Sequence, residues 1–282
     1  MHDQLKQNAE TFLLLHQGPE PLVLPNAWDV ASAGIFEQAS FQAIGTTSSG
    51  IAASLGYLDG EQIPFPEMLA VIQRIVRDTD LPVNADIEMG YGKSAAAVAE
   101  TVRSVMQVGV AGINLEDGTG NLQHPLLEMS LQLEKLQAVR KAADSAGVHL
   151  VINARTDTYM TPFHDPEEQF LEAVKRANAY RQAGADCIFL PGRLDGAIIA
   201  RLVAAIDAPI NVFASPVTPN VPELKALGVA RLSIGAGGFR AALACLRKIA
   251  RELAVTGTYQ EMFNQTLSKA EVDSLLKTGM GN

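Results

Sequence analysis

Short apolar runs rich in branched side chains recur along the chain at 22-LVLP, 42-QAIGT, 81-LPVNAD, 110-VAGINLED, 148-VHLVINAR, 186-DCIFLP, 209-PINVFAS and 229-VARLSIG. Each has the length and composition of a strand. Between them lie stretches with a 3.6-residue apolar period, such as 95-AAAVAETVRSVMQVG, 131-LQLEKLQAVRKAADSAG and 167-EEQFLEAVKRANAYRQAG. These predict helices. Several end at Gly109, Gly147, Gly184 and Gly228, the residue type best suited to a left-handed helix cap.

The strand segments are continuously apolar rather than alternating, and a helix follows each, which predicts a parallel sheet covered by helices. Eight βα units close best as an α/β (β/α)8 TIM-type barrel over residues 1–255. A doubly wound open sheet is the competing architecture, but no GxGxxG follows an early strand. Residues 256–282 read as an additional C-terminal helical segment with a frayed GMGN end.

Composition agrees with one large core, since 282 residues carry 48% hydrophobic and 19% charged side chains. No apolar stretch approaches the roughly 20 residues needed to span a bilayer. A net charge of −9 without a Lys/Arg cluster argues against nucleic acid or an anionic membrane as a partner. The start, MHDQLKQNAETFLLLHQG, has no basic n-region or cleavage site and reads as an amphipathic helix of a cytoplasmic protein. Cys187 and Cys245 show no disulfide or CxxC spacing and read as core residues.

Barrel enzymes place their chemistry at the C-terminal ends of the strands. There the third strand ends in 84-NADIEMGYG, the fourth in 114-NLEDGTG and the fifth in 153-NARTDTY. Asp86, Glu88, Glu116, Asp117, Arg155 and Asp157 therefore gather at one rim. Converging carboxylates repel one another unless a cation intervenes, and hard oxygen donors suit Mg²⁺. Asp86 and Glu116 are the first candidates, while Asp117 and Asp157 read equally well as caps or ion-pair partners. Arg155 either clamps a ligand carboxylate or pairs with the acidic cluster. The segment 45-GTTSSGIAASLGYLDG offers backbone N–H groups to an oxyanion, and Asp59 at its end is a turn residue or an outer metal ligand.

The ordered set 25-PNAWDVASA, 48-SSGIAASLG with Asp59, 84-NADIEMGYG, 112-GINLED and 153-NAR resembles the phosphoenolpyruvate mutase/isocitrate lyase superfamily over nearly the whole chain. The resemblance implies a Mg²⁺-dependent barrel (Mn²⁺ being an alternative ion) acting on a small 2-oxo or 2-hydroxy carboxylate. It implies Asp86 as the direct metal ligand, with Asp59, Glu88 and Glu116 holding its waters. Ser49, Gly50, Ile51 and Arg155 match the substrate-binding positions. Trp28 and Asp29 match a barrel-mouth motif read as packing and capping. The resemblance also implies a homo-oligomer, dimer or tetramer, whose C-terminal helix packs on or swaps with another subunit.

Two departures stand out. Glu88 replaces the second acid of D-x-D-x-G-[YF]-G, and 118-GTGNLQHPLLE replaces the K-[KR]-C-G-H loop of the lyases and the Lys/Asn loop of the mutases. His124 is the one acid/base candidate in that loop. The leading expectation is a carbon–carbon lyase or decarboxylase working through a metal-stabilised enolate, with Arg155, Glu116 and His124 as catalytic candidates. Phosphoenolpyruvate or phosphonate chemistry (mutase or hydrolase), and a 2-oxo-acid-binding barrel without turnover, are the alternatives.

Overall fold

The computed structural model describes residues 2–163, 165–264 and 266–276. All eight predicted strands are present. The strands are β1 (Leu22–Leu24), β2 (Asn26–Ala27), β3 (Ile44–Thr46), β4 (Val83–Asp86), β5 (Gly112–Glu116), β6 (Val151–Arg155), β7 (Cys187–Leu190), β8 (Ile210–Phe213) and β9 (Arg231–Ser233). The ninth arises because Pro25 splits the first predicted run, having no N–H to give the ladder.

Every pairing is parallel and the order is β1-β9-β8-β7-β6-β5-β4-β3-β2. The two ends of the sheet thus meet at Pro25, and the sheet wraps into the expected barrel. Helices between the strands bury one apolar face each, for example Met68, Ile72 and Ile75 of Phe65–Arg77. The four predicted cap glycines all adopt positive φ, from 67° at Gly147 to 109° at Gly184.

The first helix, His2–Leu15, places Leu5, Ala9 and Phe12 on one buried face. Phe12 packs where a Cβ on Gly112 would stand, at the start of β5, so this helix covers the N-terminal mouth of the barrel. That leaves the C-terminal mouth as the open end. Among the described residues no helix is long and apolar enough to cross a membrane. Cys187 is buried in β7, but Cys245 is exposed on the helix Gly237–Val255, contrary to the core assignment.

That helix is unusual, because its 19 residues include none that is buried. Leu243, Leu246, Leu253 and Val255 are exposed on it, as are Tyr259, Met262, Phe263, Leu267 and Leu276 beyond it. Leu275, by contrast, is buried against its own chain, at Gly34 of the helix Val30–Gln38, while the Gln38 side chain donates to the Ser274 carbonyl. The GMGN end lies outside the described residues.

We propose that the exposed apolar residues of this C-terminal part, Leu243, Leu246, Leu253, Tyr259, Met262 and Phe263 among them, meet another copy of the chain, since so many large apolar side chains are rarely left in water. Light scattering at micromolar concentration is expected to give at least twice the 30.1 kDa chain mass. A monomer there contradicts the assignment.

Candidate functional site

Three successive strands carry the same short pattern: asparagine, one intervening residue, then a charged residue at the strand's last position. Asn84 precedes Asp86 in β4, Asn114 precedes Glu116 in β5, and Asn153 precedes Arg155 in β6. Side chains alternate along a strand, so both members of each pair face the barrel axis. The asparagines form a buried layer in which Asn114 Oδ1 accepts from Asn84 Nδ2 at 3.0 Å and Asn153 Nδ2 at 2.8 Å. Above that layer stand the charges.

Asp86 is 8% exposed, and its Oδ2 accepts from the Ser48 amide at 3.0 Å and the Ser48 hydroxyl at 2.8 Å. Its own N–H donates to the Thr46 hydroxyl at 2.9 Å. Among the described residues Asp86 Oδ1 is approached only by the Asn114 amide, at 3.4 Å. One oxygen is therefore fixed by protein donors and the other is lightly held.

Arg155 is paired with the acidic cluster, the second of its two sequence readings. Its Nε and Nη2 donate to the two oxygens of Asp157, at 2.6 and 2.9 Å. Nη1 lies 2.7 Å from Glu116 Oε2, close enough for an ion pair though not aligned as a hydrogen bond. Three of the guanidinium's five N–H directions are thus taken up, leaving two. Gly118 permits this arrangement, since a Cβ there would overlap the Asp157 carboxylate. Asp117, fully buried, faces away from the barrel and accepts from Tyr180 Oη at 2.6 Å, Arg176 Nη1 at 3.1 Å and the Asp157 amide at 2.8 Å.

The electrostatics of the rim are dominated by burial and like charge. Burial, then the Asp86 carboxylate, raises Asp59 above the usual carboxylate range, and the same two causes push Glu88 up to about 7. Glu116 is raised well above its ordinary value by burial, against the opposing pull of Arg155. For Arg155 burial acts downward, but Glu116 and Asp157 outweigh it and raise the guanidinium. One guanidinium does not neutralise the rim.

Two cavities open here. One of about 210 Å³ is lined by Ser49, Asn114, Phe189, Phe213 and Arg240 among others, and one of about 430 Å³ by Gly60, Gln62, Glu88, Glu116 and Asp157 among others. They share Ser48, Asp59 and Arg155. The donor set around that shared wall is all oxygen, which fits a hard divalent cation. Glu116 Oε2 is buried without an aligned donor, as a group awaiting a cation or its water would be. Among the described residues no three His, Cys, Asp or Glu side chains close into a metal cage by themselves. That geometry fits one direct carboxylate with waters filling the remaining positions.

The structure gathers Asp59, Asp86, Glu88, Glu116, Arg155 and Ser49 around these cavities, and leaves others outside. Gly50 and Ile51 sit in the helix Ser48–Ser54, where the Ile51 amide donates to the Thr47 carbonyl at 3.0 Å and the Gly50 amide points at Thr47 Oγ1 at 3.4 Å. Helix formation engages the backbone donors expected to face an oxyanion, and the Ile51 side chain is core. His124 is exposed and lines a separate cavity with Phe163, Glu168 and Arg176. The loop folds back through the bridge between Gly118 and Leu126, which carries His124 away from the rim. Asp29 caps the helix Val30–Gln38 and Trp28 packs edge-on against Phe239, both as read from sequence. Ser48 and Arg240 were not foreseen. Ser48 stood inside a quoted motif, but nothing local marks an arginine at the start of the final long helix as a rim residue.

Barrel and rim together define the class: a (β/α)8 enzyme with its polar groups gathered at the C-terminal mouth. The family model for phosphoenolpyruvate phosphomutase matches residues 12–254. An uncharacterised protein of Mycobacterium tuberculosis is 34% identical over 241 residues, covering 86% of this chain and 87% of that one. The 2-methylisocitrate lyase of Escherichia coli is 29% identical over 261 residues, 89% of this chain and 86% of that one. A candidate phosphonomutase structure from Burkholderia cenocepacia superposes with a TM-score of 0.83 at 38% identity, covering 88% of this chain and 99% of that one. The chain belongs to the phosphoenolpyruvate phosphomutase family, within the phosphoenolpyruvate mutase/isocitrate lyase superfamily of enzymes.

The raised Glu88 carboxyl makes a prediction for metal-free protein. Below about pH 4.5 both folded and unfolded chains hold its proton and nothing is lost. Between 4.5 and about 7 the unfolded chain releases that proton while the folded chain retains it, so folded stability falls with rising pH and then levels off. A displacement of this size costs on the order of 3 kcal/mol once complete. Thermal melts in chelator across that window are expected to fall more steeply for wild type than for Glu88→Gln. Equal slopes contradict the assignment.

Proposed function

We propose that the protein is a Mg²⁺-dependent carbon–carbon lyase or decarboxylase acting on a small 2-oxo or 2-hydroxy carboxylate, Mn²⁺ serving in place of Mg²⁺. The observation that carries this reading is the gathering of Asp59, Asp86, Glu88 and Glu116 with Arg155 around two adjoining cavities whose shared wall is Ser48, Asp59 and Arg155. Asp86 would hold the cation directly through its lightly bonded Oδ1, with Asp59, Glu88 and Glu116 positioned for its waters. Bound there, the cation supplies positive charge to an enolate oxygen as a neighbouring C–C bond breaks.

The protein's own residues divide the remaining work. Arg155, held by Asp157 and Glu116, would offer its remaining N–H groups to an anionic oxygen without having to be ordered on binding. Arg240 lines the smaller cavity and offers a second cation, which favours a substrate with anionic groups at both ends. Phe189 and Phe213 form part of its apolar lining and exclude water from the reacting bond. Relatives named 2-methylisocitrate lyases support lyase chemistry, while the loop's lack of a lysine counts against the phosphoryl chemistry that the phosphomutase family name suggests. A barrel that binds oxo-acids without turning them over is the second reading, favoured by a loop that holds no cysteine or lysine and carries its one histidine away.

Calorimetry of the purified chain with oxalate or pyruvate is expected to show binding with Mg²⁺ and none in EDTA. Asp86→Ala should reproduce the EDTA result while keeping the wild-type circular dichroism spectrum. Equal binding without metal sinks the site assignment. Arg155→Lys keeps the charge but loses the planar fork, and a charged hydrogen bond is worth ~1.5–3 kcal/mol. Oxo-acid affinity should fall roughly ten- to a hundredfold.

The loop makes a separate prediction. With neither lyase cysteine nor mutase lysine, the enzyme should release little or no glyoxylate or pyruvate from isocitrate or 2-methylisocitrate. Robust turnover of either would give the missing acid role to another group and return His124 to consideration.

A further inference from the structure

Four non-glycine residues among those described adopt a left-handed backbone, and three of them touch: Glu61 (φ 57°), Glu88 (φ 53°) and Tyr91 (φ 52°). Glutamate and tyrosine are poor residues for this region, which glycine or asparagine enters far more readily. An ordinary turn would place those types here. Strained residues persist where surrounding contacts over-determine them, and they concentrate at functional sites.

The contacts that hold these three form a closed ring. The Glu61 amide donates to Glu88 Oε2 at 2.6 Å, the Tyr91 amide donates to Glu61 Oε1 at 2.6 Å, and the Tyr91 hydroxyl donates to Glu88 Oε1 at 3.2 Å. Both oxygens of Glu88 are thereby engaged by protein donors. Buried Lys135 ties the turn from behind, its Nζ donating to the Met89 carbonyl at 3.0 Å. The Tyr91 ring rests on Phe65, centroids 5.2 Å apart. The ring of contacts joins the loop that carries Asp59, two residues before Glu61, to the strand end that carries Asp86 and Glu88.

We propose that Glu61 and Tyr91 are positioning residues: a strained clasp that fixes the Glu88 carboxylate and the Asp59 loop relative to Asp86, so that their oxygens are in place before a divalent cation arrives. This rests on the metal-site reading above. A clasp of this kind gives up folded stability for prearranged ligands, so releasing its strain should separate the two quantities. A purely structural clasp would lose both together.

The test is titration of the metal-stripped full-length chain with Mg²⁺ by calorimetry, alongside melting curves of the same metal-free samples. Glu61→Gly enters the left-handed region without strain and removes the carboxylate that receives the Tyr91 amide. Tyr91→Phe removes only the hydroxyl and keeps the ring on Phe65. Both are expected to weaken Mg²⁺ binding by about tenfold or more, with the metal-free melting temperature of Glu61→Gly equal to or above wild type. Wild-type Mg²⁺ affinity in either variant overturns the clasp alone. So does a Glu61→Gly protein whose melting temperature falls along with its affinity. If Glu61→Gly does not fold, Tyr91→Phe decides by itself. A wild-type chain that takes up no Mg²⁺ overturns the metal reading and the clasp with it.

Discussion

The rim of this barrel depends on one imbalance: five carboxyls, Asp59, Asp86, Glu88, Glu116 and Asp157, line two adjoining cavities with only two guanidiniums, Arg155 and Arg240, and Arg155 is largely committed. Arg155 gives Nε and Nη2 to Asp157 and leans Nη1 toward Glu116. Burial and then the neighbouring Asp86 carboxylate raise the proton affinity of both Asp59 and Glu88, and at Asp59 Arg155 offsets this only in part. Burial sharpens the conflict, because like charges interact more strongly where water is excluded. Such a site either holds protons or holds a cation, and at neutral pH a divalent ion resolves the conflict more completely than shared protons do.

The barrel interior is built to carry that load. A barrel core filled with branched aliphatics would leave Asp86 without support. Here a layer of Asn84, Asn114 and Asn153 lies beneath it, and Arg231 at the start of β9 is fully buried with Nη2 3.4 Å from Asn114 Oδ1. Burial lowers that guanidinium to about 10, still high enough to keep its charge near neutral pH. A cation buried under the acidic rim, with amides between, offsets part of the repulsion above without reaching the cavities.

Much of this was legible in the sequence because barrel chemistry follows strand ends. Runs of apolar residues located the strands, and the charged residues at or next to the ends of three consecutive runs, Asp86, Glu116 and Arg155, line the rim cavities. The asparagine two places earlier in each strand, Asn84, Asn114 and Asn153, is equally visible in the sequence, and a repeated polar residue inside an apolar strand is itself a sign of a polar barrel interior. Other features depend on folding rather than on pattern. Gly50 and Ile51 lie in a helix that begins at Ser48, and this helix engages the Ile51 amide with the Thr47 carbonyl. His124 moved out of the site because a hairpin within the loop, set by Gly118 and Leu126, decides where it points. Arg240 lies far along the chain and enters only when β9 closes the barrel.

The division between Glu116 and Asp117 shows how the fold separates fixed from variable parts of the site. Adjacent along the strand, the two face opposite sides: Glu116 into the barrel, Asp117 into the helix Pro166–Gln182, where Tyr180 and Arg176 hold it. Through the Asp157 amide, Asp117 also sets the residue that grips Arg155. The same Arg176 donates to the Leu127 carbonyl at 3.0 Å, and the Leu127 amide to the Asp117 carbonyl at 2.7 Å, so both ends of the loop from 118 to 127 are anchored to this buried pair. Between those anchors Asn121, Leu122, Gln123 and His124 are exposed, and the hairpin's internal bonds involve no rim carboxylate. Residues 121–124 can therefore change without disturbing the rim carboxylates or Arg155, whereas Gly118 at the base of the loop cannot, because a Cβ there would overlap the Asp157 carboxylate.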